Sequence, residues 1–232
     1  MKSAPALALA ALLSTVAGPS PGQPLPLDVE TAGSTALEMA KTTTDPQVKW
    51  RAVRILGSLR YQPAVPLLIE SLTDPHHQVR ANAARALGDM RAGEAVKPLI
   101  DLLAQEKEGV IIEQAAAALL QLKAKEAVPA LKGVAHHESS QTRIWVIQAL
   151  GRLGSRPDVP FLAIFLDDPN STVQRMAAEA IERALDMDFG FRSTVTFGNA
   201  GAANARAATE KVKQWWEANK NQPASFWQKP PG

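Results

Sequence analysis

The chain has 232 residues, 46% hydrophobic and 21% charged, enough to build one buried core with accessory segments. Lys and Arg number 25 against 23 Asp and Glu, which argues against a protein that grips nucleic acid by bulk charge. The absence of cysteine excludes disulfides, thiolate catalysis, Cys-ligated zinc, iron–sulfur clusters and a lipid-modified N-terminal cysteine.

Residues 1–17 place Lys2 before an apolar stretch from Ala4 to Val16, closed by small residues ahead of Gly18-Pro19. This is the pattern of a secretory signal peptide, and the apolar stretch is shorter than the roughly 20 residues of a membrane anchor. The mature chain is therefore expected in the periplasm or the extracellular space, with no stable membrane insertion. A Pro/Gly/Ser-rich linker follows over residues 18–33, with order expected to begin near Asp28 or Ser34.

A repeat of about 31 residues then runs through the chain. Val48–Gly57, Val79–Gly88 and Thr142–Gly151 align, with weaker copies at Ile111–Leu120 and Val173–Glu182. The column Leu56, Leu87, Leu119, Leu150, Ile181 has gaps of 31, 32, 31 and 31. A second motif follows at constant phase and gives the column Leu37, Leu68, Leu99, Leu131, Leu162, so an extra half-repeat is expected around Ser34–Lys41. Both motifs carry apolar residues at helical spacing. Asp45-Pro46, Asp74-Pro75 and Asp168-Pro169 are expected to start first helices, and Gly57, Gly88 and Gly151 to end them. Pro66 and Pro129 suit the first turn of a second helix. Each unit is thus a pair of helices too small to bury its own face. The fold expected over residues 34–190 is an all-α solenoid of stacked antiparallel helix pairs.

On the V-R-x-x-A-A-x-A-L-G string at Val79–Gly88 and the A-V-x-P-L segments, the chain resembles HEAT-repeat proteins of the short-repeat branch named after phycobilisome lyases. The resemblance covers roughly residues 34–184. It implies the fold strongly and the function weakly, since this fold hosts scaffolds, lyases, hydroxylases and nucleic-acid enzymes.

Residues 191–232 depart from the repeat. Seven of the twelve aromatics lie after residue 188, and Asp188-Phe189-Gly190-Phe191 stands where the next second helix is due. A helix from about Ala203 to Asn219, carrying Trp215 and Trp216, is expected to take its place and cap the open end. An aromatic binding patch is the alternative. The final residues look frayed, although Phe226-Trp227 can dock on the body or on a partner.

No catalytic, cofactor or metal residue is expected. His76-His77 and His136-His137 lie two repeats apart, about 20 Å at 9–10 Å per helix layer, too far to share a metal. Deoxyhypusine hydroxylases resemble this repeat but carry His-Glu pairs in their first helices. The matching positions here read Trp50-Arg51, Ala81-Asn82, Glu113-Gln114 and Ile144-Trp145, and His137-Glu138 is out of register. Hydrolase, phosphate-loop and zinc-protease motifs are absent. Eight cations (Lys49, Arg51, Arg54, Arg60, Arg80, Arg85, Arg91, Lys97) outnumber four acids over residues 49–97. Lys49, Arg80 and Arg143 share one column, however, and are expected to pair with Asp74 and Asp168 as a structural ladder rather than to bind nucleic acid. Asn170-Ser171-Thr172 reads as the turn into the fifth first helix.

The resemblance implies that second helices line a concave face. Positions one and five residues after each leading Val then face outward: Pro66 and Glu70, Lys97 and Asp101, Pro129 and Gly133, Pro160 and Ile164. The series is charged early and apolar late, with Phe161 and Phe165 beside Ile164. This surface is expected to bind a protein or peptide partner in the envelope or secreted space, through Glu70, Lys97, Asp101, Phe161, Ile164 and Phe165. The late end is either an open groove or the seat of the C-terminal helix. A HEAT-like enzyme or enzyme subunit of lyase or hydroxylase type, with an unrecognised site, is the alternative function.

Overall fold

The computed structural model describes residues 28–191 and 199–228. The expected signal peptide, the leader to residue 27 and Phe197 lie outside the described residues. Those described form twelve α-helices and no strand. They divide into two compact units, one ending at Leu102 and one beginning at Leu103.

The first unit opens with α1 (Val29–Thr42), capped by Asp28, whose side chain accepts from Thr31 N–H. Helix α2 (Pro46–Leu59) packs against α1 on one side and α4 (His77–Asp89) on the other. Helix α3 (Val65–Glu70) lies on α4, and α5 (Val96–Gln105) follows. The second unit repeats the scheme. Helix α8 (Ser140–Leu153) packs between α6 (Gly109–Gln121) and α10 (Ser171–Leu185), α7 (Val128–Val134) lies on α8, and α9 (Val159–Ala163) lies on α10. Each second helix is entered through a single 3-10 turn, at Gln62–Ala64, Gly93–Ala95, Lys125–Ala127 and Arg156–Asp158. Pro66, Pro129 and Pro160 sit in the first turn, where a missing N–H costs nothing.

The two repeat columns form the core. Leu56, Leu87, Leu119, Leu150 and Ile181, with Leu68, Leu99, Leu131 and Leu162, are each at most 1% exposed. Burial of each is worth about 1.5–3 kcal/mol. Leu37 departs from its column: it is only half-buried, and α1 instead packs through Ala32, Gly33, Ala36, Met39 and Ala40.

The glycines do not end the first helices. Gly57, Gly88 and Gly151 lie inside α2, α4 and α8. At Gly57 and Gly151 the reason is interhelical contact: a β-carbon would fall 2.6 Å and 2.5 Å from the Cβ of Ala86 and Ala180 on the neighbouring first helix. Whereas α8 ends in extended backbone at Gly154, termination of α2, α4, α6 and α10 falls to non-glycine residues in the left-handed region, Arg60, Arg91, Lys123 and Asp186, with φ between 49° and 56°. Each closes a paired cap. Arg60 N–H donates to Gly57 O and Tyr61 N–H to Leu56 O, and Arg91–Ala92 and Lys123–Ala124 repeat the pattern. A side chain is strained there and glycine is not. Lys123→Gly is therefore expected to stabilise the protein by about 1 kcal/mol and raise Tm by about 2–4 °C in calorimetry.

The capping acids also need correction. Asp45 caps α2, accepting from Gln47 N–H at 2.8 Å. Asp74 and Asp168 stand two residues before the caps, which are His76 and Asn170. One oxygen of each accepts from that cap residue's N–H at 2.8 Å. The carboxylate then meets the preceding repeat's cation: Lys49 Nζ lies 2.6 Å from Asp74, and Arg143 forks onto Asp168 at 2.8 and 2.9 Å. Arg80 and Arg143 also donate to backbone carbonyls of their own connections, Asp74 and Pro75, and His137 and Glu138. Gln174 does the same with Asp168 O in the last repeat. The cation column is thus a structural ladder, as its register implies. Asn170 accepts from Thr172 and Val173 N–H and shapes the turn assigned to it.

In the second unit α11 (Asn199–Asn219) packs on α10 where a second helix is missing. Glu182, buried on α10, accepts the N–H groups of Phe189 and Phe191 and holds the Phe-Gly-Phe segment against the helix. Trp215 meets Phe189 edge-on, and α12 (Ala224–Trp227) folds back so that Trp227 touches Trp215, Trp216 and Phe226. Phe226-Trp227 is therefore docked on the body, with Trp227 buried.

Candidate protein-interaction surface

The second helices present one side chain in four outward because their buried columns face the first helices. In the first unit this leaves Pro66 and Glu70 on α3 and Lys97 and Asp101 on α5 exposed. Lys97 and Asp101 form an i,i+4 pair at 3.2 Å with both side chains in solvent, an arrangement worth about 0.3–0.5 kcal/mol that leaves both charges accessible.

The second unit presents an apolar counterpart. Ile164, just past α9, is 57% exposed. Phe161, half-buried, stands beside it, and exposed Pro129 and Gly133 on α7 continue the strip. Phe165 does not line this surface. It is 2% exposed, because the chain tightens to a 3-10 turn over Ile164–Asp167 and rotates its ring inward. There it supports the His136 ring, stacked at 4.9 Å and exposed above it. Lys132 completes the rim, with Nζ 5.3 Å from the Phe161 ring and 2.5 Å from Asp158. Sequence alone marks His136 only as a histidine unable to share a metal and leaves Lys132 unmarked; it assigns neither to this surface. Their signal was two facing i,i+4 pairs, Lys132/His136 and Phe161/Phe165.

The C-terminal helices touch residues that precede and follow the α9 segment and leave Ile164 exposed. Lys213 on α11 pairs with Asp167 at 3.4 Å, and the Arg156 guanidinium lies over the Phe226 ring at 4.8 Å. Ile164 stays uncovered between them. Among the described residues no group of three or more His, Asp or Glu side chains is placed to hold a metal, and no helix is long and apolar enough to cross a membrane. His137 is structural: Nδ1 accepts from Ser139 N–H and Nε2 donates to Lys107 O, both at 3.1 Å, tying the loop before α6 to the loop before α8.

The family profile of HEAT repeats matches residues 34–120 and 112–182, well over half of the chain. The chain belongs to the HEAT-repeat family. Among solved structures it is similar to the complex of CpcE and CpcF of phycocyanin lyase from Nostoc sp. PCC7120, at 29% identity and a TM-score of 0.60, over 72% of this chain and 68% of that one. The archaeal HEAT-like repeats protein from Thermococcus onnurineus NA1 aligns over 89% and 92% of the two chains at 14% identity and a TM-score of 0.53. A designed armadillo repeat protein aligns over 76% and 99% at 18% identity and a TM-score of 0.51. The last two establish the fold alone, an all-α solenoid of helix pairs. No curated protein matches the sequence. A HEAT-repeat fold supports a protein-interaction role, because its repeated helices offer extended side-chain surface rather than a single reactive cleft.

Proposed function

We propose that this HEAT-repeat protein is an exported, non-catalytic adaptor that holds a protein or peptide partner on its second-helix surface. The observation that carries the reading is Ile164, a large apolar side chain left in solvent between aromatic and cationic neighbours and uncovered by the tail. The similarity to a chain from a two-protein complex, CpcE with CpcF, supports a partner of the same general kind. Export is supported by Lys2 and the apolar stretch Ala4–Val16 ahead of a small-residue break. N-terminal sequencing of the secreted or periplasmic protein tests it, and Met1 retained in a cytosolic product would overturn it.

The test of the adaptor role is a pull-down of tagged protein from its native envelope and secreted fractions. One stoichiometric protein is expected. Ile164→Asp and Lys97→Glu change exposed side chains, so each is expected to shift stability by no more than about 0.5 kcal/mol while weakening capture. Normal capture by both folded variants would place the contact outside these two surfaces.

A second reading, an enzyme subunit of lyase type, draws on the phycocyanin lyase likeness. It requires a bound small molecule or metal. Native mass spectrometry of the purified protein distinguishes the two readings, with a stoichiometric adduct favouring the enzyme and a bare chain favouring the adaptor.

A further inference from the structure

The eight cations between Lys49 and Lys97 are not equivalent once placed. Lys49 belongs to the ladder through Asp74, and Arg80 donates to the carbonyls of Asp74 and Pro75. Arg85 lies 3.7 Å from Asp89, and Lys97 pairs with Asp101. Arg60 and Arg91 close α2 and α4 through their backbone and leave their side chains exposed. Arg51 and Arg54 differ from all of these in sharing a ring, and among the described residues no carboxylate lies within ion-pair distance of either. Both guanidiniums instead sit over one ring, Trp50, at 5.4 and 5.3 Å from its centroid. The indole N–H is held by Gln47 Oε1 at 3.0 Å, so the ring that carries them is itself fixed.

We propose that this face of α2, opposite in kind to the apolar strip of the second unit, docks an acidic segment of a partner protein. Two like charges three residues apart repel, and the ring quadrupole holds them together without neutralising them. A contact with an aromatic ring uses none of a guanidinium's N–H donors in hydrogen bonds, and its planar fork offers two parallel donors to one carboxylate. Residues at i and i+3 stand about 5–6 Å apart at Cβ, a spacing met by two Asp or Glu residues one helical turn apart on a partner. Arg85 occupies the register of Arg54 one repeat later on α4 and extends the positive field. Nucleic acid fits less well. Duplex nucleic acid is gripped through many phosphates, and two open guanidiniums replace few counterions. A lipid surface fits less well too, because Trp50 is half-buried, with its N–H tied and its ring stacked by arginine, and offers no apolar edge for insertion.

The test is a titration of isotope-labelled full chain with a decaglutamate peptide at low salt, followed by NMR at the Arg Nε–H and Trp50 indole N–H signals. Saturable shifts confined to Trp50, Arg51, Arg54 and their neighbours are expected. The double variant Arg51→Gln/Arg54→Gln, folded by circular dichroism, is expected to bind at least tenfold more weakly. Three results would overturn the proposal: no saturable shift at Trp50, equal binding by the double variant, or tighter arginine-dependent binding of a 20-base-pair DNA duplex or phosphatidylglycerol vesicles than of the peptide. The last would reassign the face to nucleic acid or membrane. None of these outcomes bears on capture through Ile164, which is tested separately.

Discussion

Gly151→Ala is expected to destabilise the protein by about 2–3 kcal/mol, against the usual benefit of replacing glycine inside a helix. Alanine is favoured over glycine in a helix interior by about 1 kcal/mol. Here the new methyl would lie 2.5 Å from the Cβ and 3.1 Å from the Cα of Ala180, so α8 and α10 must separate. That movement loosens the contact around Leu150 and Ile181, and overpacking of this kind costs about 1–3 kcal/mol or more. Ala180→Gly removes the obstructing atom. The double variant Gly151→Ala/Ala180→Gly is expected to return to within about 1 kcal/mol of wild type, giving a coupling energy near 2 kcal/mol in urea denaturation. Additive single effects would show that the glycine is not there for close approach. Gly57 faces Ala86 in the first unit with the same geometry, at 2.6 Å and 3.0 Å, and is expected to behave alike.

Asp168→Ala is expected to cost about 3–5 kcal/mol, the range for removing one partner of a buried ion pair. Arg143 would keep its charge with its side chain only 12% exposed and lose both bonds of its fork. Asn170 N–H would lose its acceptor as well, loosening the cap of α10. The same group gives the protein an acid dependence. Burial works against the Asp168 carboxylate, but the Arg143 hydrogen bonds, the Asn170 N–H and the Arg143 charge outweigh it and hold its pKa below the usual value. A carboxyl lowered on folding contributes fully above its unfolded pKa of about 3.9, and that contribution is lost as pH falls through the lowered value. Urea midpoints of wild type and Asp168→Ala are therefore expected to differ most near pH 7 and to converge below about pH 4. A gap that stays constant into acid would exclude this carboxylate as its source.

Much of the architecture was legible because a repeat states its contacts several times. Leu56, Leu87, Leu119, Leu150 and Ile181 fall at one phase and are all buried, so period alone placed the core. The ladder was legible for the same reason, since Lys49 and Arg143 share a register and find Asp74 and Asp168 at one offset. The glycines misled because glycine serves two needs. Adjacent to the end of a helical pattern it reads as a cap, whereas Gly57 and Gly151 are there for the alanine across the interface. Three of the actual terminators, Arg60, Arg91 and Lys123, belong to types that carry no such signal. The surface was harder still. Phe161 and Ile164 follow the helical count, but the 3-10 turn at Ile164–Asp167 changes the pitch and turns Phe165 inward. Leu37 missed its column because α1 packs through small residues and Met39 instead.

The ladder also has a direction. In both pairs the cation comes first and its acid follows 25 residues later, borne on the connection that opens the next repeat. On the ribosome, at about 5–20 residues per second, each cation is made a second or more before its acid exists. During synthesis these two repeats are therefore left with an open charge until the next repeat emerges. A released chain truncated between Arg143 and Asp168 would display a guanidinium without its carboxylate at its open end, a chemical mark of incompleteness that the finished protein does not carry.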